Sequence, residues 1–127
     1  MRNVLRIKSN MDSGMFRPVQ LAAATALGLG EEWFQGMNSI YDARRKIGLE
    51  LMDRLECKVP PNQAGMFIWG KCTVDNVDEV VDDLLGRLGI FITPGHIFGE
   101  GGRRYLRLSL CSPEQVLKEA LKRIEGK

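Results

Sequence analysis

The sequence predicts an α/β fold of the two-layer, α+β kind, a small sheet covered by helices and preceded by one long linking helix. Three observations predict it. From about residue 59 the periodicities run strand, helix, strand, strand, helix. From Tyr105 to Leu110 the alternation is unbroken, with Tyr105, Arg107 and Ser109 on one face and Leu106, Leu108 and Leu110 on the other. Glu31 to about Glu56 repeats apolar residues at helical spacing. At 1.5 Å per residue that helix spans about 38 Å, more than a small domain needs. It either bridges two bodies or serves as a plain core helix.

Each element has its own grounds. Met1 to Lys8 reads as the tail of a helix with Val4, Leu5 and Ile7 apolar and no N-cap, as though the chain began inside an element. Ser9 to Gly14 is a loop by composition. Met15 to Leu27 is a helix, with Pro18 tolerated in its first turn, Leu21 to Ala24 as strong helix formers, and Gly28 and Gly30 as stops. Glu31 and Glu32 open the long helix, where they complement its dipole. Val59 to Gln63 is a turn, and Ala64 to Cys72 a strand rich in β formers. Asn76 with Glu79 makes a capping box for a helix whose stripe is Val77, Val80, Val81, Leu84, Leu85 and Leu88, ended by Gly89. Ile90 to Thr93 is a strand, followed by a Pro-Gly turn and a glycine-rich loop leading into the Tyr105 strand. Ser112 caps the last helix, Pro113 takes its first position, and Leu117, Ala120, Leu121 and Ile124 face the core.

Composition excludes several function classes. The 127 residues are 44% hydrophobic and 27% charged, a balance that lets one domain hold a core without staples. A net charge of +2, with both signs interspersed, gives no footprint for nucleic acid. No apolar run approaches the roughly 18 residues of a membrane span, and no signal peptide is visible. Cys57, Cys72 and Cys111 are odd in number and widely spaced, which reads as reduced thiols in a cytoplasmic setting, with Cys111 a small buried hydrophobe. One histidine, His96, excludes a multi-histidine metal site, so no metal is expected.

The candidate binding residue is Arg107. Its strand neighbours are a phenol and a hydroxyl, and a glycine loop that permits close ligand approach precedes it. A guanidinium held on a strand suits capture of a carboxylate. An arginine on the polar face of a half-buried strand is also commonly just solvated.

These residues carry a family resemblance. Ser9 to Gly14 followed by Gln20-Leu21-Ala22-Ala23, then Pro61 with Ala64-Gly65-Met66-Phe67-Ile68-Trp69, and above all Pro94-Gly95-His96-Ile97-Phe98-Gly99, Gly102 and Tyr105-Leu106-Arg107-Leu108-Ser109, resemble the C-terminal part of the class I/II, fold-type I pyridoxal-phosphate aminotransferases, the aspartate aminotransferase-like group. The resemblance implies that residues 1–30 end the large cofactor domain, 31–58 form the linking helix, and 59–127 form the C-terminal small domain. It implies that Arg107 grips the substrate α-carboxylate, while Arg103 and Arg104 face solvent from the loop. Ser9 and Asn10 would approach a cofactor phosphate of the partner subunit, against the plainer reading of a self-bonded turn. The Schiff-base lysine and the aspartate behind the pyridine nitrogen would precede this region. Lys8, Lys46, Lys58 and Lys71 lie in no matching context, so the chain supplies no catalytic residue of its own and is expected to be inactive alone. The implied partners are an amino acid and a 2-oxo acid, the N-terminal large domain and a second copy in a homodimer, with pyridoxal 5'-phosphate as cofactor of the whole enzyme. The competing reading is a stand-alone, non-catalytic carboxylate-binding module.

Overall fold

The structure is a computed structural model that describes residues 1–11 and 13–126. Helices α1 (Arg2–Met11), α2 (Arg17–Leu27) and α3 (Glu31–Arg54) come first, followed by β1 (Cys57–Lys58), β2 (Phe67–Cys72), α4 (Asp78–Leu88) and β3 (Thr93–Pro94). Two 3-10 turns, Gly95–Phe98 and Glu100–Gly102, lead to β4 (Tyr105–Ser109) and α5 (Glu114–Glu125). The chain divides within α3 into two compact units, Met1–Gly36 and Met37–Lys127; Lys127 itself lies outside the described residues.

In the first unit α1 and α2 bury no residue. Val4, Leu5, Ile7, Met11, Phe16, Val19 and Leu27 stand exposed. The loop expected over residues 9–14 is shorter than the sequence suggested, because α1 continues to Met11. Ser9 Oγ and Asn10 Nδ2 both donate to the Arg6 carbonyl, at 3.1 and 2.7 Å, so these turn-forming side chains are satisfied inside the helix instead. Asp12, also part of that expected loop, lies outside the described residues. Pro18 sits in the first turn of α2, which ends at Gly28.

The second unit holds one four-stranded antiparallel sheet in the order β1-β2-β4-β3. The expected alternation of β4 is observed, with Leu106 and Leu108 buried and Tyr105, Arg107 and Ser109 only partly so. Ile68, Leu106, Leu108 and Leu110 meet Leu51 and Met52 of α3, Val81 and Leu84 of α4, and Leu117 and Ile124 of α5 in a single core. Each such side chain contributes roughly 1.5–3 kcal/mol by leaving water. A Cβ on Gly48 would come within 2.7 Å of the Ile68 side chain, so α3 approaches the sheet closely where it has no side chain. The helices therefore cover one sheet face, and the Arg107 face carries no helical layer within this unit.

Several boundaries differ from expectation for local reasons. α3 ends at Arg54, because Glu56 takes φ 54, and the unexpected two-residue β1 follows at once. Asn76 Oδ1 accepts from the Asp78 N–H at 3.3 Å, not from Glu79, so the capping box reduces to a turn ahead of α4. Gly89 closes α4 at φ 63, as a left-handed cap should. β3 comprises Thr93 and Pro94 on the sheet edge, where the missing proline donor is harmless. At α5 the cap position belongs to Pro113, and no side chain caps the helix.

The cysteines are corrected outright. Cys57 and Cys72 face each other across β1 and β2 and form a disulfide. Cys111 is free and exposed, because Leu110 is the last inward residue of that run. Cysteine usage therefore gives no support to a cytoplasmic setting.

Candidate functional site

The uncovered sheet face is built by alternation on two central strands. β2 contributes Phe67 and Trp69, and β4 contributes Tyr105, Arg107 and Ser109, with Trp69 opposite Arg107, Lys71 opposite Tyr105 and Phe67 opposite Ser109. On its other side Arg107 lies opposite Thr93. The Trp69 ring stacks on Tyr105 at 5.2 Å and 15°. Lys71 Nζ stands 6.0 Å from the centre of the Tyr105 ring.

Arg107 is the focus of this face. Its guanidinium carbon lies 4.4 Å from the centre of the Phe67 ring and 4.3 Å from that of Phe98. Its Nε is buried and has no hydrogen-bond partner. A buried donor without a partner is costly unless something else supplies an acceptor or a charge. The cation is thus held by aromatic contacts, and its charge is not neutralised by a carboxylate of the sheet face.

Phe98 reaches Arg107 because the loop backbone is fixed. A Cβ on Gly95 would fall 2.6 Å from the Gly102 carbonyl oxygen and 2.7 Å from the Trp69 ring, and one on Gly102 would fall 2.1 Å from the Gly95 oxygen. Only glycine permits that contact. His96 Nδ1 lies 3.1 Å from Asp78 Oδ1, tying the first 3-10 turn to the start of α4. The Trp69 ring meets Phe98 edge-on at 6.0 Å.

The two neighbouring arginines behave differently. Arg103 is exposed and pairs with Glu100 at 3.0 Å. Arg104, expected to face solvent, keeps 42% of its side chain exposed and also donates to the Val74 carbonyl at 3.1 Å and the Thr73 carbonyl at 3.0 Å, so it holds the loop before α4. Arg44 and Arg45 of α3 clasp the chain where β4 ends and β2 begins: Arg44 donates to the Leu110 carbonyl at 3.0 Å, and Arg45 to that of Gly65.

Of the residues singled out by sequence, Arg107 belongs to the Met37–Lys127 unit, while Ser9 and Asn10 belong to Met1–Gly36. Ser9 and Asn10 are exposed on α1 and engaged with the Arg6 carbonyl. That is a helix surface and offers no ring of converging amides for a phosphate. Sequence reasoning passed over Phe67 and Phe98 as neighbours of Arg107. The signal for Phe67 was its shared parity with Trp69 on β2; Phe98, arriving from a loop, gave none. Among the described residues no helix is long and apolar enough to cross a membrane, and no three His, Cys, Asp or Glu side chains gather around a common point.

The family model for aminotransferase class I and II matches residues 2–124. An LL-diaminopimelate aminotransferase of Maridesulfovibrio salexigens is 40% identical over 94% of this chain and 31% of its own length. Its counterpart in Halothermothrix orenii is 38% identical over 95% of this chain and 31% of its own length. The chain thus spans about a third of the length of the curated relatives it matches. Among solved structures, the substrate-bound BacF structure of Bacillus subtilis superimposes with a TM-score of 0.78 at 28% identity, over 95% of this chain and 32% of that one. An aromatic aminotransferase of Pyrococcus horikoshii OT3 gives a TM-score of 0.69 at 25% identity, over 85% of this chain and 30% of that one.

Proposed function

The chain belongs to the class I and II aminotransferase family, and from that premise we propose that it is the C-terminal part of a pyridoxal-phosphate-dependent aminotransferase, in which Arg107 grips the substrate α-carboxylate. The observation that carries this reading is the state of Arg107: a strand-mounted guanidinium on an uncovered face, against two aromatic rings, with Nε buried and unpartnered. Its planar donor fork suits a carboxylate, which it can bind through two parallel charge-assisted bonds. Closure of this unit over the substrate would then exclude water and orient the reacting amine.

Amino-group transfer is the chemistry of pyridoxal phosphate, and the described residues do not fit its cradle. Lys71 lies against Tyr105, and Ser9 and Asn10 are bonded to Arg6. The cofactor's phosphate and aldehyde would be held by the rest of the enzyme. Ser9 and Asn10 enter the proposal only as outlying contacts, since each would first have to release the Arg6 carbonyl to donate to a phosphate of a partner subunit. The names of the relatives make LL-diaminopimelate, with a 2-oxo acid as acceptor, the first donor to test.

The test is a chimera in which this chain replaces the matching segment of the Maridesulfovibrio salexigens relative. A soluble chimera that binds cofactor should transaminate, and Arg107→Lys should lower its kcat/KM while cofactor absorbance persists. Unchanged kcat/KM in Arg107→Lys would remove Arg107 from the site. A carboxylate-binding module without catalysis would bind acetate as the free chain and yield no active chimera.

A further inference from the structure

We propose that the Cys57–Cys72 disulfide is a reversible redox latch: closed, it holds β1 and the Gln63 loop against β2, and its reduction by a dithiol frees both and loosens Trp69 on the open face. The latch does not depend on the anion-binding role of Arg107. The cross-link joins residues 15 apart in sequence and closes a ring that contains both Gln63 and Trp69. Within that ring the Gln63 side chain holds the N–H and the carbonyl of Trp69.

The β1 ladder is weak without the cross-link. β1 is an edge strand of two residues. Cys57 faces Cys72 and Lys58 faces Lys71, so one pair is covalent and the other sets like charges opposite each other. A ladder of two pairs has little stability of its own, and facing like charges weaken it further. The hydrogen bond from Thr73 Oγ1 to Glu56, at 3.2 Å, is exposed to competing water. β2 is anchored differently. Its Cys72 N–H donates to the Arg104 carbonyl at 2.7 Å, and β4 pairs with it from Phe67 to Lys71. The far end of the loop is also tied down, by Arg45 at the Gly65 carbonyl and by the Leu110 N–H at the Met66 carbonyl. Opening the disulfide therefore releases one side of the ring and leaves the centre of the sheet in place.

The chemistry is thiol–disulfide exchange. Both cysteines are buried, but Cys57 lines a cleft of about 410 Å3 whose walls include the exposed Asp53, Glu56 and Lys58. A thiolate of the dithiol attacks Cys57 Sγ. The Sγ–Sγ bond breaks, and its electron pair leaves on Cys72, which takes up a proton. The second thiolate then displaces Cys57 from the mixed disulfide, and Cys57 takes up the other proton. The two cysteines gain two electrons, and the dithiol becomes a disulfide. The new Cys57 thiol has the Leu55 carbonyl oxygen 3.4 Å away as an acceptor.

The experiment is hydrogen exchange of the full chain by NMR, oxidised and in excess dithiothreitol, with reactive thiols counted without denaturant. Dithiothreitol should raise the count from one to three, and glutathione disulfide should return it to one. In the reduced chain the Trp69 N–H should exchange at least about tenfold faster, while the Cys72 N–H keeps its protection. Lys58→Glu, which sets opposite charges across β1 and β2, should slow Trp69 exchange in the reduced chain by about threefold. The double variant Cys57→Ala, Cys72→Ala should exchange fast at Trp69 with or without dithiothreitol. Four results would each overturn the latch: a disulfide that dithiothreitol leaves intact in the folded chain, a Trp69 rate that ignores redox state, Trp69 and Cys72 rates that rise together, or a reduced Lys58→Glu chain that exchanges as fast as the reduced parent.

Discussion

The side-chain amide of Gln63 pairs with both backbone polar groups of Trp69, donating to its carbonyl at 2.7 Å and accepting from its N–H at 2.8 Å. β1 ends at Lys58, opposite Lys71, so the outer edge of β2 would otherwise be bare at Trp69. Because Trp69 spends its N–H and C=O outward on Gln63, its pairing with Arg107 is of the non-hydrogen-bonded kind, in which side chains approach most closely. One glutamine thus replaces a strand residue and brings an aromatic ring beside the arginine.

Gln63→Ala should leave both Trp69 groups unpaired and lower stability by about 1–3 kcal/mol, read as a reduced urea midpoint. Gln63→Glu should do no better, because an ionised carboxylate cannot donate to the Trp69 carbonyl. A midpoint unchanged in both variants would mean that water serves Trp69 equally well.

Arg107→Lys keeps the charge and loses the fork. In the chimera it should lower kcat/KM for the amino donor by roughly 10- to 100-fold, the equivalent of one charge-assisted bond. Arg103→Lys should change neither activity nor stability, since both it and its partner Glu100 are exposed. Arg104→Lys should cost stability alone, through its two backbone contacts. Activity lost more severely on either loop substitution than on Arg107→Lys would point to the wrong arginine.

Gly102→Ala should force the Gly95 backbone aside and displace Phe98, because a Cβ there meets main-chain atoms at 2.1 and 2.4 Å. Gly101→Ala, with nothing within 4 Å of its Cβ, is the matched control and should unfold like the parent. Thermal melts of the two variants decide the matter; equal melts would show that the loop can shift at no cost.

The disulfide makes a countable prediction. Without reductant, the unfolded chain should show one reactive thiol, Cys111, and with reductant three. Cys57→Ser should destabilise the oxidised chain by about 3 kcal/mol, the chain-entropy value for a loop of roughly 15 residues. Three reactive thiols in the chain as purified, without reductant, would refute the cross-link.

Lys118 hydrogen-bonds Glu114 one turn away on α5, and its charge adds to that bond, so the Glu114 carboxyl titrates below its usual range. With the folded-state value depressed, the contribution is present above the unfolded carboxylate pKa and lost as pH falls through the folded one. Lys118→Met should bring the Glu114 carboxyl back up, as followed by NMR titration. It should weaken the chain slightly at neutral pH and leave it unchanged in strong acid.

What was legible followed from repeating patterns. The β4 alternation and most of the α4 stripe each rest on several residues obeying one period and appear where expected, as does the Gly89 stop; of the stripe, Leu85 is exposed and Val77 precedes the helix. What escaped was set by single partners far away in sequence. The two-residue β1 has no period to read, and it exists because Cys57 and Lys58 meet Cys72 and Lys71. Ser9 and Asn10 have turn chemistry, yet the Arg6 carbonyl satisfies both inside a helix. At the candidate site the arginine was readable from its strand, but Phe98 depends on a loop path that only the Gly95–Gly102 contact defines.

The alternation along β4 places recognition and folding under one register. A single-residue slip against β2 would turn Arg107 into the core and push a leucine out to the open face, so a strand misaligned by one residue could not keep the core and lose only the site. The leucines proofread the arginine. Insertions should therefore be tolerated at Gly101, where an added side chain meets open space, and rejected anywhere between Tyr105 and Ser109.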